Sequence, residues 1–221
     1  MSPSPEFSCR LDHLVICAHE LAAGVDWFAA RSGLRLPAGG RHPLMGTHNH
    51  LSALGDTSFL EIIANDPDAD APAADRSRWF MLDNAEHQAQ LAVAPKLTTW
   101  VVATDDLDAA LDVTKAVGID PGEPVTQTRG DLQWRIALRA DGSLACDGVF
   151  PVLIQWPTGV NPVARMQDQQ LRLASLQLSH PDADRVRAGM QALGIDGLAT
   201  VGSGQSRLHA TLTVGDSRFI V

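Results

Sequence analysis

His13, His50 and Glu61 are the side chains of this sequence whose types and spacing suit chemistry at a single centre. Two imidazoles and a carboxylate make a donor set for a divalent transition metal such as Zn, Mn, Ni or Fe. The same groups can move a proton, with Glu61 and His50 as the catalytic pair. Whether they meet depends on strands, which send alternate side chains to opposite faces. Residues 11–17 alternate as a strand, with Leu14 and Ile16 under a helix and His13, Val15 and Cys17 facing away. Residues 57–64 read the same way, with Leu60 and Ile62 toward the helix and Phe59, Glu61 and Ile63 opposite. The strand before them, 48–54, joins through Gly55-Asp56, and glycine first in a two-residue turn favours a type II′ hairpin. Leu54 then pairs with Thr57, which places His50 across from Glu61 with Cβ atoms about 4.5–5.5 Å apart. A one-residue change in the turn would undo that pairing. A buried cross-strand His–Glu pair also occurs as a purely structural charge pair.

The elements that must position these groups recur along the chain. A strand at 11–17, a helix at 20–31 and a closing Gly33 are followed by a loop at 37–43 and the two strands just described. A linker at 65–74, rich in Asp, Ala and Pro, leads to a polar, helical excursion at 75–94. The opening pattern then returns as a strand at 97–103, a helix from Asp105 closed by Gly118, and strands at 132–138 and 150–156. It returns again from Leu173, with a helix closed by Gly194 and strands at 208–214 and 219–221. This repeat predicts an α+β fold: paired βαβββ modules around a curved mixed-sheet cleft, with a partial third repeat. The expected divisions are a first module at 9–66, the linker and excursion at 67–95, a second module at 96–160 and the partial repeat at 170–221, packed on the same domain.

Composition narrows the function classes. The 221 residues are 45% hydrophobic and 19% charged, as in a globular chain, and carry a net charge of −9. A chain this acidic, without a basic stripe, is not built for nucleic acid. No apolar run reaches the roughly 18 residues a membrane span requires. The first residues lack the pattern of a secretory signal, so the expected location is the cytoplasm. Cys9, Cys17 and Cys146 are widely spaced and odd in number, which reads as reduced thiols. The expected partner is a small molecule, and exposed strands of the third repeat invite a homodimer.

Four segments carry a family resemblance: 11–15 (Leu-Asp-His-Leu-Val), 39–43 (Gly-Gly-Arg-His-Pro), 46–49 (Gly-Thr-His-Asn) and 59–63 (Phe-Leu-Glu-Ile-Ile). They resemble the glyoxalase-like domains of the vicinal oxygen chelate superfamily, which includes glyoxalase I, extradiol dioxygenases and bleomycin-resistance proteins. Residues 151–156 resemble that family's late strand, and the likeness spans about residues 10–180. The resemblance implies that His13 on the first strand and Glu61 on the fourth are metal ligands. It also implies one or two further ligands from the second module, where Thr99 and, less surely, Gln155 stand at the matching positions.

Arg41, His42, Asn49, Arg129, Trp134 and Gln155 are the candidates for touching a ligand. The 39–42 loop offers a cation for an anionic group, or is simply a surface turn. Arg129 either clamps a carboxylate or pairs with Asp131. Trp134 and Trp156 line the cleft or belong to the core. Cys17 reads as a small buried hydrophobe. The expectation is a glyoxalase-like small-molecule enzyme, divalent-metal-dependent and of lyase, isomerase or dioxygenase type, acting on a small oxygenated substrate. The alternative is a non-catalytic, metal-free protein that sequesters a small molecule.

Overall fold

The computed structural model describes residues 7–221. The first unit runs β1 (Cys9–Cys17), α1 (Leu21–Ser32), β2 (Ala38–His42), β3 (Thr47–Ala53) and β4 (Phe59–Asn65). The second unit follows α2 (Ala85–Val93) and runs β5 (Lys96–Thr104), α3 (Leu107–Ala116), β6 (Glu123–Arg129), β7 (Leu132–Leu138) and β8 (Val152–Gln155). Both units share one eight-stranded sheet in the order β2-β3-β4-β1-β5-β8-β7-β6. The remainder is β9 (Leu171–His180), α4 (Ala183–Ala192), β10 (Thr200–Ser203), β11 (Arg207–Val214) and β12 (Ser217–Ile220), whose strands form a second sheet ordered β10-β9-β11-β12. The fold is therefore α+β with paired βαβββ modules, as the repeat predicts. The third segment keeps the order of elements but not the pairing. In it β10 lies parallel and directly beside β9, whereas β2 sits three places from β1.

Strand alternation sorts the apolar residues into two cores. On the convex face, Leu14, Ile16, Leu60 and Ile62 pack with Phe28 of α1, Leu107 of α3, and Leu176, Leu178, Leu208 and Leu212 of the smaller sheet. That sheet covers a surface α1 and α3 alone would leave wet. On the concave face, Val15, Cys17, Ile63 and Val101 pack with Trp79, Phe80, Leu82 and Leu91 from the excursion between the modules. The excursion is held there by backbone hydrogen bonds from Ser77 to the Ala140 carbonyl (2.8 Å) and from Met81 to that of Gly142 (3.0 Å). It closes one end of the trough. At the other end Val163 packs on Ala53 and Phe59.

Two local expectations are corrected. Residues 38–42, read as loop, form strand β2 against β3. Gly39 and Gly40 disfavour a strand by propensity, yet a side chain at Gly39 would collide with the Asn49 Oδ1 that accepts from the Gly40 amide. The β3–β4 connection also differs from the expected two-residue turn. Ala53 pairs with Phe59 and the Leu54 amide reaches the Ser58 carbonyl at 2.8 Å, so residues 55–57 form the loop. That one extra residue moves the register, and Leu51, not His50, lies across from Glu61.

Candidate functional site

The concave face between the two covers holds a chain of buried polar groups. His13 on β1 and Glu61 on β4 meet there, with Nε2 3.6 Å from Oε2, a charge contact longer than a hydrogen bond. They are 6% and 5% exposed. The second Glu61 oxygen accepts from Asn49 Nδ2 at 2.6 Å, and Asn49 Oδ1 in turn accepts from the Gly40 amide at 2.9 Å. The His13 ring stacks on Phe59 with centroids 4.4 Å apart. Its Nδ1 lies 2.6 Å from Asp12 Oδ1, while Asp12 Oδ2 accepts from the Trp156 indole at 2.8 Å.

Asp12 immediately precedes His13 in the strand but escapes the strand's alternation. The β1–β5 register skips one residue between Leu11 and His13, so Asp12 is the extra residue of a β-bulge. A bulge re-aims its side chain, and here it brings a carboxylate to its neighbour's imidazole. Alternation alone sends Asp12 to the helix face, which is why the sequence pattern missed it.

This arrangement sets the charges. Burial opposes charge on the His13 ring, but the Asp12 hydrogen bond and the Glu61 carboxylate outweigh it and raise its pKa to about 9. Burial also opposes charge on Glu61, and His13, His42 and Asn49 overcome it, holding its pKa below the ordinary value. At neutral pH the pair is an imidazolium beside a carboxylate. His42 is the reverse case. Burial, with Arg129 and His13 nearby, pulls its pKa down to about 4, so it stays neutral. Burial pushes the Cys17 thiol up to about 12, which makes it a packing group. All three cysteines are free.

The other expected site residues divide. His50 is not with Glu61: it pairs with Ile62, and its Nδ1 lies 2.6 Å from the Leu36 carbonyl. Arg41 points outward to Asp66 and Asp68. Gln155 bridges Arg135 and the Asp105 carbonyl near α3. Asn49, His42 and Trp134 are buried with the polar chain or beside it; His42 packs edge-on to Trp79 (5.0 Å) and Trp134 (6.4 Å). Arg129 comes to the same corner because the two edge strands of the sheet approach each other: a side chain on Gly40 of β2 would sit 3.3 Å from Arg129 Nη1 of β6. Among the described residues Arg129 has no carboxylate partner, Asp131 included. Trp134 packs on Trp156 with centroids 5.3 Å apart and the rings tilted by 38°, and these two rings line a cavity of about 370 Å³.

Whether the site fits a divalent metal is settled by its donors. Pairing places Val15 between Glu61 and Thr99, and Val101 between Val152 and His13. The two units are thus related so that Thr99 matches His13 and Val152 matches Glu61. Val152, rather than Gln155, is the counterpart on the late strand. The Thr99 hydroxyl donates to the Gly148 carbonyl at 3.1 Å, and Val152 is an apolar core residue. Among the described residues no three His, Cys, Asp or Glu side chains are arranged to hold a metal ion. His13 and Glu61 supply two donors where a catalytic metal draws three from protein. The residues present do not fit a resident divalent metal.

A family model described as a glyoxalase-like domain matches residues 11–194. A hypothetical protein from Staphylococcus aureus has the same fold, with TM-score 0.59, 13% identity, and coverage of 96% of this chain and 98% of that one. A methylmalonyl-CoA epimerase solved with methylmalonyl-CoA and NH4+ aligns at TM-score 0.42 and 19% identity over 70% of this chain and 98% of its own. One from Mycobacterium tuberculosis aligns at 0.42 and 15% over 66% and 85%. No curated protein matches the sequence. Among the described residues no helix is long and apolar enough to cross a membrane.

Proposed function

This chain belongs to the glyoxalase-like domain family of the vicinal oxygen chelate superfamily, and from that premise we propose that it is a small-molecule enzyme moving a proton at carbon beside a carbonyl, without a resident metal. Glu61 takes the proton from the substrate carbon. The electron pair left behind moves into the carbonyl, and the resulting enolate oxygen is held by the His13 N–H. Glu61 then returns the proton to carbon or to a neighbouring atom. A fixed imidazolium in a low-dielectric hollow stabilises a developing oxyanion without reorganising, which is the main source of rate in such chemistry.

The observation that carries this reading is the buried contact of His13 Nε2 with Glu61 Oε2 at 3.6 Å, with both groups fixed from behind, by Asp12 and by Asn49 respectively. A bound substrate parts them, its oxygen accepting from the His13 N–H while its adjacent C–H faces Glu61. The test is exchange of α-protons in deuterated water, followed by NMR, for a panel of 2-oxo acids, their amides and 2-hydroxyketones in the presence of EDTA. Exchange is expected for some members, and Glu61→Gln should slow it by about 100-fold or more. Exchange that appears only after adding Zn, Mn, Ni or Fe would overturn the metal-free reading. Tight binding of a panel member with no exchange would make the protein a sequestering module instead.

A further inference from the structure

We propose that the corner where β2 meets β6 is a carboxylate-binding subsite, so that the substrate is a small carboxylic acid whose acid group is held by Arg129 beside the His13–Glu61 pair. This rests on the proton-transfer reading only for the name "substrate"; the subsite stands on its own geometry. Arg129 shares its face of β6 with Gln127, since residues two apart on a strand point the same way. Gln127 is 3% exposed and pairs across from Trp134, whose ring is in the concave core. Arg129 therefore turns into the hollow, half-buried and, among the described residues, without an anion. The guanidinium lies close against Gly40, where a Cβ would come within 3.3 Å of its Nη1.

A second donor stands near it. Trp79 is 4% exposed and its Nε1 is buried without a hydrogen-bond partner among the described residues. An unmet buried donor is destabilising, and a bound acceptor would recover that loss. The His42 ring packs against Trp79, and its Nδ1 is already engaged by the Thr47 hydroxyl at 3.1 Å. His42 stays neutral beside Arg129 and so neither supplies nor repels charge there. Arg129 and Trp79 both lie by the His42 ring, and a planar carboxylate has the charge and the acceptor atoms to pair the guanidinium and the unmet indole N–H.

Calorimetry with pyruvate and with pyruvamide as probes tests the subsite. Wild type should bind pyruvate at least ten-fold more tightly than the uncharged amide. Arg129→Met should remove that preference, Arg129→Lys should keep part of it, and Trp79→Phe should weaken pyruvate binding by a few fold. Unchanged thermal unfolding of Arg129→Met establishes that its fold is retained. A preference that survives Arg129→Met, or equal or absent binding of the two probes to wild type, overturns the subsite. The two proposals fail separately. Arg129-dependent binding of pyruvate with no α-proton exchange removes the catalytic reading alone, whereas exchange as fast on the amide as on the acid removes the subsite alone.

Discussion

In the amino-terminal half of the large sheet, matched positions facing the hollow carry His13, Glu61 and Asn49; in the other half they carry Thr99, Val152 and Ile136. The backbone plan is shared, since Ile63 bridges Asn49 and Cys17 as Ile154 bridges Ile136 and Ala103. The interiors differ. One half holds an ion pair fixed by hydrogen bonds from both sides, and the other holds Val152, Ile136 and Ile154 in an apolar core. A sheet built twice needs its interior filled twice, but only one filling need be reactive. The apolar half lowers the dielectric around the charged half and so strengthens its electrostatics.

The largest expected effect comes from forcing the apolar half to imitate the polar one. Val152→Glu buries a carboxylate that has no cation or amide waiting for it, and should cost about 3–5 kcal/mol by urea unfolding. A loss below about 1 kcal/mol would mean that the two halves tolerate charge alike.

The next prediction concerns pH. His13 has a folded pKa of about 9 against an ordinary 6.5. The folded state thus holds this proton more tightly than the unfolded chain, and the stabilisation is full below pH 6.5 and lost as pH rises to 9. At about 1.4 kcal/mol per pKa unit it is on the order of 3 kcal/mol. Glu61, with its pKa lowered, works oppositely: its contribution is present above its ordinary pKa and lost as pH falls through the folded value. Stability curves from pH 6 to 8.5, below the range where the cysteines titrate in the unfolded chain, should show the alkaline loss in wild type, a smaller one in Asp12→Asn and none in His13→Gln. A wild-type curve flat across that range would show that the imidazole is not held charged.

The smallest effect belongs to His50. Its ring reaches only the Leu36 carbonyl, so His50→Ala should cost about 1 kcal/mol of stability and leave α-proton exchange unchanged. A large loss of exchange would return His50 to the site.

These residues also show what a single sequence reveals. Strand alternation brought out the shared face of His13 and Glu61 because both strands have strong apolar partners at Leu14, Ile16, Leu60 and Ile62. It misplaced His50 because register is set by the loop, and residues 55–57 close a turn one residue longer than Gly55-Asp56 suggests. Strand β2 was hidden by Gly39 and Gly40, which permit close approaches to Asn49 and to Arg129 respectively that no local propensity encodes. Gln127 and Trp79 were silent for a related reason. They enter the hollow through an edge strand and an inserted segment whose positions follow from tertiary packing.

The bulge at Asp12 trades one ladder position for a buried ionic contact. Removing that one residue would close the irregularity between Leu11 and His13, though not the one between Val15 and Ile16, and would withdraw the carboxylate that holds the imidazole. A single codon therefore sets whether the His13 ring is backed by a carboxylate, a far smaller change than any that would rebuild the sheet.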